Sequence, residues 1–334
     1  MELRSPYLLF LGNAPDQLAA KTARGIADWR PDLSVGQLRL ADCAADLGLS
    51  DISIEEAVNL GARTMVIGVA NAGGVLPPEW TNTIVAALKA GLDVASGLHA
   101  RLDGVPEISA AASQYNSRLI DVRTPMPGLP VGSGRPRTGR RMLTIGTDCS
   151  VGKMYATLAI ESEMKRRNVP ARFCATGQTG ILIAGTGVPV DAVAADFISG
   201  AIEQLTPDND ADHWDLVEGQ GSLFHPSFAG VSLGLLHGAQ AEALILCHEP
   251  TRRHMRGLPQ QSLPDLKTCV EANLQAARLT CPQARCVGVA VNTSLVPPTQ
   301  AQAILDQIEA ELEIPAQDPF TTGVGRLVDA LIAP

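Results

Sequence analysis

The chain has 334 residues, of which 46% are apolar, and it carries 26 basic and 35 acidic side chains. Because a typical domain has ~100–150 residues, this length and apolar content predict two domains with packed cores. The acidic excess argues against nucleic acid or an anionic membrane as the main partner.

The cysteines and the N-terminus bear on the compartment. Seven cysteines are present and no two form a Cys-x-x-Cys pair, so neither a disulfide framework nor a zinc site is expected. The first residues lack the basic-then-apolar order of a signal peptide, and no apolar run approaches the ~18–20 residues of a membrane span. We therefore expect a cytoplasmic protein in a reducing environment.

Strand and helix patterns alternate through the first 124 residues. We predict strands at residues 7–11, 64–69, 93–95 and 119–122, and helices at residues 17–29 and 80–90. Residues 125–136 are too rich in proline and glycine for either element. A linker is therefore expected at 125–140, between domains at 1–124 and 141–334.

The alternating pattern restarts at residue 141. The predicted elements are strands at 142–145, 172–175, 216–218, 243–247 and 287–291, and helices at 155–167, 188–203, 266–278 and 299–312. Alternation of this kind predicts an α/β fold with parallel sheets in both domains. We expect a Rossmann-like N-terminal domain, and a P-loop NTPase-like C-terminal domain because of the loop at residues 145–154.

That loop reads Ile-Gly-Thr-Asp-Cys-Ser-Val-Gly-Lys-Met and lies between a strand and a helix. Backbone N–H groups and a helix N-terminus converge where a phosphate would bind, with Lys153 beside it. The last position of such a loop is usually Ser or Thr, whose hydroxyl binds Mg²⁺; here it is Met154, a poor ligand for a hard ion. The pattern predicts a phosphate-bearing cofactor bound for a reason other than phosphoryl transfer, and no metal site. The expected cofactor-binding residues of the loop are Gly146, Thr147, Asp148, Cys149, Ser150, Val151, Gly152, Lys153 and Met154.

Glu218 follows an apolar strand and precedes Gly-Gln-Gly, an arrangement that delivers a carboxylate beside a bound phosphate. It is the strongest candidate for a general base, although it could instead cap a helix or pair with Lys153. His225 could share the catalytic role or hydrogen-bond within its loop, and Asp196 is a further acidic candidate. Asp191 and Asp196 lie five residues apart on a predicted helix, so they are not expected on one face.

Other strand ends carry polar residues and glycines. Residues 71–74, Asn-Ala-Gly-Gly, follow a strand at the position where open α/β sheets bind ligands. Residues 176–180, Thr-Gly-Gln-Thr-Gly, could bind an acyl or amino-acid group or form a simple turn. The candidate substrate-binding residues are Asn71, Gly73, Gln178 and Thr179. Asn292, at the end of another strand, is a candidate for contact with a purine ring.

Two features near the loop have alternative interpretations. Cys149 lies at a helix N-terminus beside Lys153, which would lower its thiol pKa, and it could accept an acyl group or simply fill space. The cluster of Arg252, Arg253 and Arg256 could be a solvated face or hold a peripheral phosphate.

The loop resembles the Gly-Thr-Asp-Thr-x-Val-Gly-Lys-Thr of dethiobiotin synthetase and its MinD-like relatives, and departs from it at Met154. Over nearly the whole chain, a wider set of motifs resembles a two-domain P-loop family that includes the DgcN-type D-glutamate N-acetyltransferases. The motifs are the loop itself, Thr-Gly-Gln-Thr-Gly-Ile-Leu at 176–182, Val-Asp-Ala-Val-Ala-Ala-Asp-Phe at 190–197, Val-Glu-Gly-Gln-Gly-Ser-Leu at 217–223 and Leu-Cys-His-Glu-Pro at 246–250. In that family, methionine follows the loop lysine.

The resemblance implies transfer of the acetyl group of acetyl-CoA to the amino group of D-glutamate, in D-amino-acid catabolism. It also implies that the loop binds the CoA diphosphate and that the enzyme is a homo-oligomer. Two alternatives stay open. One is an ATP- or GTP-dependent ligase or kinase of the dethiobiotin synthetase type, with Mg²⁺ held by Asp148 and Glu218, and the other is a nucleotide-sensing regulatory protein.

Overall fold

Contacts divide the chain into two compact units. The structure, a computed structural model, describes residues 2–17, 19–70, 74–124 and 127–333. The first unit holds Met1–Met126 and Gly177–Ala192, and the second holds Pro127–Thr176 and Val193–Pro334. Residues 177–192, which lie inside the predicted C-terminal domain, pack with the N-terminal half, and residues 127–140 of the predicted linker belong to the second unit.

The first unit is built on a five-stranded parallel sheet. Its strands are β1 (Tyr7–Gly12), β2 (Ser34–Arg39), β3 (Thr64–Ile67), β4 (Asp93–Ser96) and β5 (Leu119–Asp121). They lie in the order β2-β1-β3-β4-β5, and β1, β3 and β4 are buried along their whole length, which explains the apolar runs of β1 and β3. The strand order reverses between β1 and β3, and sheets of this order bind ligands at the carboxyl ends beside that point.

The second unit is built on a six-stranded parallel sheet and a separate antiparallel hairpin. Its strands are β6 (Arg140–Gly146), β7 (Ala171–Cys174), β8 (Trp214–Val217), β9 (Ala243–His248), β10 (His254–Met255), β11 (Leu258–Ser262), β12 (Arg285–Val291) and β13 (Ala316–Gln317). The sheet order is β13-β12-β9-β6-β8-β7, and β10 pairs with β11 in the hairpin. The strand that leads into the phosphate loop, β6, therefore lies between β9 and β8.

The helices connect these strands. In chain order they are α1 (Lys21–Trp29), α2 (Ile54–Asn59), α3 (Thr81–Lys89), α4 (Pro106–Tyr115), α5 (Lys153–Arg166), α6 (Gln178–Ala184), α7 (Ala195–Leu205), α8 (Ala229–Ala239), α9 (Leu266–Ala277), α10 (Pro298–Leu312) and α11 (Gly325–Ile332). Helices α1–α4 and α6 belong to the first unit and the others to the second. Within the described ranges, no helix combines the length and the apolar character needed to cross a membrane. The α/β fold with parallel sheets is confirmed.

One predicted helix is wrong in its first part. We expected a helix over 188–203, but α7 begins at Ala195, and Val190–Ala192 forms a short 3₁₀ turn after Pro189. A proline removes a backbone donor and cannot continue a helix from the preceding turn. Asp191 and Asp196 are therefore on separate elements.

Several elements gave no clear sequence pattern, among them β2, α2, α4, α6, α8 and the hairpin, and α1 begins four residues later than predicted. Helix α8 shows why, because it contains glycines that lower helix propensity. A Cβ atom at Gly234 would lie 2.6 Å from Ile198, and one at Gly238 would lie 2.5 Å from the Ser199 carbonyl oxygen. These glycines allow α8 to approach α7 closely, a packing requirement that local propensity does not reveal.

Gly219, which follows β8, lies where the backbone of two neighbouring strands is closely packed beside the phosphate loop. Its N–H donates to the Thr144 hydroxyl at 2.9 Å, and a Cβ atom at this position would lie 1.7 Å from the Thr144 carbonyl oxygen. We expect Gly219→Ala to lower the free energy of unfolding by about 3 kcal/mol or more, since backbone must move to admit the methyl group.

Urea unfolding of the purified variants measures this effect. Gly230→Ala in α8 is the matched control, because a Cβ atom there meets nothing within 4 Å, and its stability should be unchanged or higher. Equal unfolding midpoints for the two variants would contradict the close approach.

Candidate functional site

The phosphate loop connects β6 to α5 through a tightly curved backbone. Gly152 has a φ of +97° at the N-cap of α5, a conformation that favours glycine. A Cβ atom at Gly146 would lie 2.9 Å from the Lys153 Nζ and 3.0 Å from the Asp148 carbonyl oxygen. Both glycines of the pattern are thus required by the curvature of the loop around the lysine.

Lys153 is buried at the centre of this loop, with an exposed fraction of 7%. Its Nζ donates to the Asp148 carbonyl oxygen at 2.8 Å. Burial lowers the pKa of Lys153, and the neighbouring groups Cys247, Cys149, Asp148 and Glu218 oppose that shift. An anion bound in the loop would favour the charged ammonium further.

Asp148 ties the loop to the segment between β9 and β11. Its Oδ1 accepts the Cys149 N–H at 2.6 Å, and its Oδ2 accepts the Arg252 Nη1 at 2.8 Å and the Arg256 N–H at 2.7 Å. Arg252 also donates to the carbonyl oxygens of Cys149 at 2.5 Å and Ser150 at 3.2 Å. Both oxygens of this fully buried carboxylate are engaged, so Asp148 anchors the loop.

His225 lies beside the same anchor. One ligand atom each of Asp148, Cys149 and His225 lies within 4.8 Å of the others, a spacing that could suit a metal ion. However, the His225 Nδ1 accepts the Ser227 N–H at 3.2 Å, and its Nε2 lies 3.1 Å from the Arg256 carbonyl oxygen. A metal ion would have to displace these bonds and the Arg252–Asp148 ion pair, so the donor set does not fit a resident metal.

The environment of Cys149 differs from the sequence-based expectation. Burial raises the pKa of its thiol, and this effect outweighs the lowering by Lys153, Arg256 and Arg252. The predicted lowering is therefore wrong, because the loop buries the sulfur more than its cations compensate.

Glu218 lies at the carboxyl end of β8 with an exposed fraction of 4%. Its Oε2 accepts the Thr176 N–H at 2.9 Å, and its carbonyl oxygen accepts the Thr176 hydroxyl at 2.5 Å. It also interacts electrostatically with Lys153. Glu218 therefore joins the ends of β7 and β8 and lies in the electrostatic field of the loop lysine.

The remaining predicted residues lie in different places. Asp196 is exposed in the first turn of α7, and no hydrogen bond or ion pair joins it to the loop within the described ranges. Asn292 follows β12 beside the end of the loop, since its Cβ lies 3.9 Å from where a Cβ on Gly152 would be. Tyr155 lies in the first turn of α5 and contacts Phe320, with the two ring centroids 5.2 Å apart.

The predicted substrate-binding residues belong to the first unit. Gln178 and Thr179 form the start of α6, and Thr179 hydrogen-bonds to the Thr22 hydroxyl at 3.2 Å. The Gln178 side chain packs against Gly97, at the end of β4. Asn71 and Gly73 lie outside the described residues.

His248 is a residue that the sequence analysis did not single out. It ends β9, and its Nδ1 lies 3.1 Å from the hydroxyl of Thr147 in the phosphate loop. Burial lowers the pKa of His248 to about 4, so the neutral imidazole is present at pH 7. The feature of the sequence that could have identified His248 is its position at a strand end, within the Leu-Cys-His-Glu-Pro motif.

The shifted pKa of His248 predicts a pH-dependent stability. Because the unfolded imidazole binds a proton near pH 6.5 and the folded one near pH 4, the contribution is complete above pH 6.5 and is lost as the pH falls towards 4. The slope from this group is at most about 1.4 kcal/mol per pH unit. Urea unfolding at pH 7, 6 and 5 should show a smaller loss for His248→Asn than for the parent. The parent protein, measured in the same buffers, is the reference.

Comparison with known proteins identifies the family to which this chain belongs. A family model described as a P-loop domain of unknown function, DUF1611_C, matches residues 130–328, and a Rossmann-like one, DUF1611_N, matches residues 39–125. A protein of Tritonibacter scottomollicae named D-glutamate N-acetyltransferase is 54% identical over 331 residues, which is 99% of each chain. A protein of the same name from a Pseudoalteromonas species is 48% identical over 98% of this chain and 99% of its own.

A solved structure has the same fold. The crystal structure of a DUF1611 family protein from Anabaena variabilis ATCC 29413 has a TM-score of 0.85 and 30% identity, and the match covers 98% of this chain and 99% of that one. The chain therefore belongs to the DUF1611 family, whose members join a Rossmann-like N-terminal domain to a P-loop C-terminal domain.

Proposed function

We propose that this protein is a D-glutamate N-acetyltransferase, which moves the acetyl group of acetyl-CoA to the substrate amino group. The observation that carries the proposal is the full-length identity of 54% and 48% to two relatives that bear this name. The phosphate loop supports it independently, because a CoA donor needs a cradle for its diphosphate.

We propose that the loop binds the diphosphate of the donor. Its backbone amides and the helix α5 N-terminus supply donors, and Lys153 supplies a buried positive charge. The proposed binding residues are Gly146, Thr147, Asp148, Cys149, Ser150, Val151, Gly152, Lys153 and Met154. Asn292, with the Tyr155–Phe320 ring pair, is the proposed contact for the adenine ring.

Metal-independent chemistry fits the side chains of the loop better than a magnesium-dependent ligase does. Met154 offers a thioether where such enzymes have a hydroxyl ligand. Asp148, one of the two carboxylates that would have to hold Mg²⁺, already accepts three N–H donors. A ligase mechanism would require both obstacles to be removed.

The proposed reaction is direct transfer. The ammonium of D-glutamate loses a proton to a base, and the free amine attacks the thioester carbonyl carbon. A C–N bond forms, the C–S bond breaks, and CoA leaves as the thiol after taking up a proton. The raised pKa of Cys149 disfavours its thiolate, so a route through an acetyl-cysteine is less suited to this loop.

We propose Glu218 as the base. It is a buried carboxylate at a strand end, beside Lys153, and the two nitrogens of His225 are already engaged. Its Oε2 accepts the Thr176 N–H at 2.9 Å, a contact that orients the carboxylate at the strand end. His248, neutral at pH 7, is the next candidate.

The binding residues for the acceptor stay a proposal. They are Gln178 and Thr179, together with Asn71 and Gly73, which the structure does not describe. We also propose a homo-oligomer in the reducing cytoplasm, and the seven free cysteines support that compartment.

The test of the function is an acetyl-transfer assay on the purified protein. We expect acetyl-CoA and D-glutamate to give CoA and N-acetyl-D-glutamate at the same rate with EDTA as with Mg²⁺, because the proposed mechanism uses no metal. L-glutamate serves as the matched acceptor. No product with either acceptor, or turnover that requires ATP and Mg²⁺, would move the assignment to the ligase class.

The base is tested by Glu218→Gln. Glutamine keeps an oxygen for the Thr176 amide but cannot take the proton, so kcat should fall by ~10²–10⁴ while the affinity for acetyl-CoA stays close to the parent value. Asp196→Asn is the matched control and should keep kcat within about twofold, as expected of an exposed surface change. A normal kcat for Glu218→Gln at neutral pH would transfer the role to another group.

A further inference from the structure

The turn between β10 and β11 places Arg256 on the phosphate loop. Its N–H donates to the Asp148 Oδ2 at 2.7 Å, and its carbonyl oxygen lies 3.1 Å from the His225 Nε2. Its Nη1 hydrogen-bonds to the Ser150 hydroxyl. The backbone of this residue is thus held on both sides, and its side chain lies directly against a loop residue.

The charges around the loop leave Arg256 as an uncompensated cation. Arg252 lies 2.8 Å from the Asp148 Oδ2 and 3.7 Å from the Glu249 Oε2, so its charge is balanced by carboxylates. Within the described residues, no carboxylate forms an ion pair with Arg256, and its side-chain partner is the neutral Ser150 hydroxyl. An anion could replace that partner at little cost, because the side chain is exposed.

The diphosphate of CoA carries two negative charges. It is a diester, and each phosphate carries one negative charge at neutral pH. Lys153 supplies one cation from inside the loop, and Arg256 is placed to supply the second from the hairpin. In a P-loop protein that hydrolyses nucleotides, a Mg²⁺ ion neutralises part of the phosphate charge, and a Ser or Thr hydroxyl holds that ion. Met154 stands at the position of this hydroxyl here.

We propose that Arg256 binds the diphosphate of the acyl donor together with Lys153, and so takes over the neutralising role of the metal ion. The inference rests on the proposed function. Guanidinium groups bind phosphate oxygens through paired N–H donors, and the fixed backbone of the hairpin turn reduces the entropy lost on binding.

The experiment measures the binding of CoA by calorimetry in EDTA at fixed salt. Arg256→Gln should weaken the affinity about ten- to hundredfold, the range expected for one charge-assisted contact. Inorganic pyrophosphate lacks the adenosine and pantetheine parts of CoA. If the defect lies at the phosphates, its strength as a competitor of CoA binding should fall by a similar factor.

Arg253→Gln is the matched control. Arg253 is an exposed neighbour with the same charge, and it makes no hydrogen bond or ion pair within the described part of the chain. Its removal should change the affinity for CoA by no more than about twofold, the effect of net charge alone. Thermal unfolding of each variant identifies any that fail to fold, and Arg256→Lys should then recover part of the affinity because it keeps the charge.

The Lys153→Met variant distinguishes an error in the role proposed for Arg256 from an error in the proposed function. If the parent binds CoA and Lys153→Met does not, while Arg256→Gln matches Arg253→Gln, the role of Arg256 is overturned and the donor site stands. If the folded parent binds neither CoA nor acetyl-CoA, both the proposed function and the role of Arg256 are overturned.

Discussion

The buried carboxylate of Asp148 is the interaction on which the site depends. It accepts N–H groups from its own loop, from Arg252 and from the turn of the hairpin. A buried charge is tolerated when it has such partners, and the loss of one partner from a buried ion pair costs about 3–5 kcal/mol. One carboxylate therefore fixes the curvature of the phosphate loop and holds Arg252 and the turn of the hairpin against it.

This anchor also limits the chemistry of the loop. An aspartate at this place could assist a metal ion in a related nucleotide-binding protein, but here it is committed to arginine. With methionine following the lysine, cations near a bound phosphate must come from side chains. A loop of this kind suits the proposed acyl-CoA donor, which would be held by its diphosphate while reaction occurs elsewhere along the molecule.

The first unit includes a segment that is distant in the sequence. Residues 177–192 follow β7 in the chain, yet they pack with β1 to β5, and the Gln178 side chain fills the space beside Gly97. The proposed acceptor ligands Gln178 and Thr179 thus come from the C-terminal half of the sequence. The order of strands in this unit, which reverses between β1 and β3, places the end of β3 where parallel sheets bind ligands.

The sequence by itself determined the α/β class, most of the buried strands and the phosphate loop. Strands buried on both faces, such as β1 and β9, appear as apolar runs, and a loop that must curve around a lysine requires glycine at fixed positions, as Gly146 and Gly152 show. Only the tertiary structure decided which side chains join that loop. Arg252, Arg256 and His248 reach it from about 100 residues away, burial reverses the expected pKa shift of Cys149, and the glycines of α8 allow it to pack closely against α7. These outcomes depend on burial and on contacts between distant segments, and local patterns of residues contain neither.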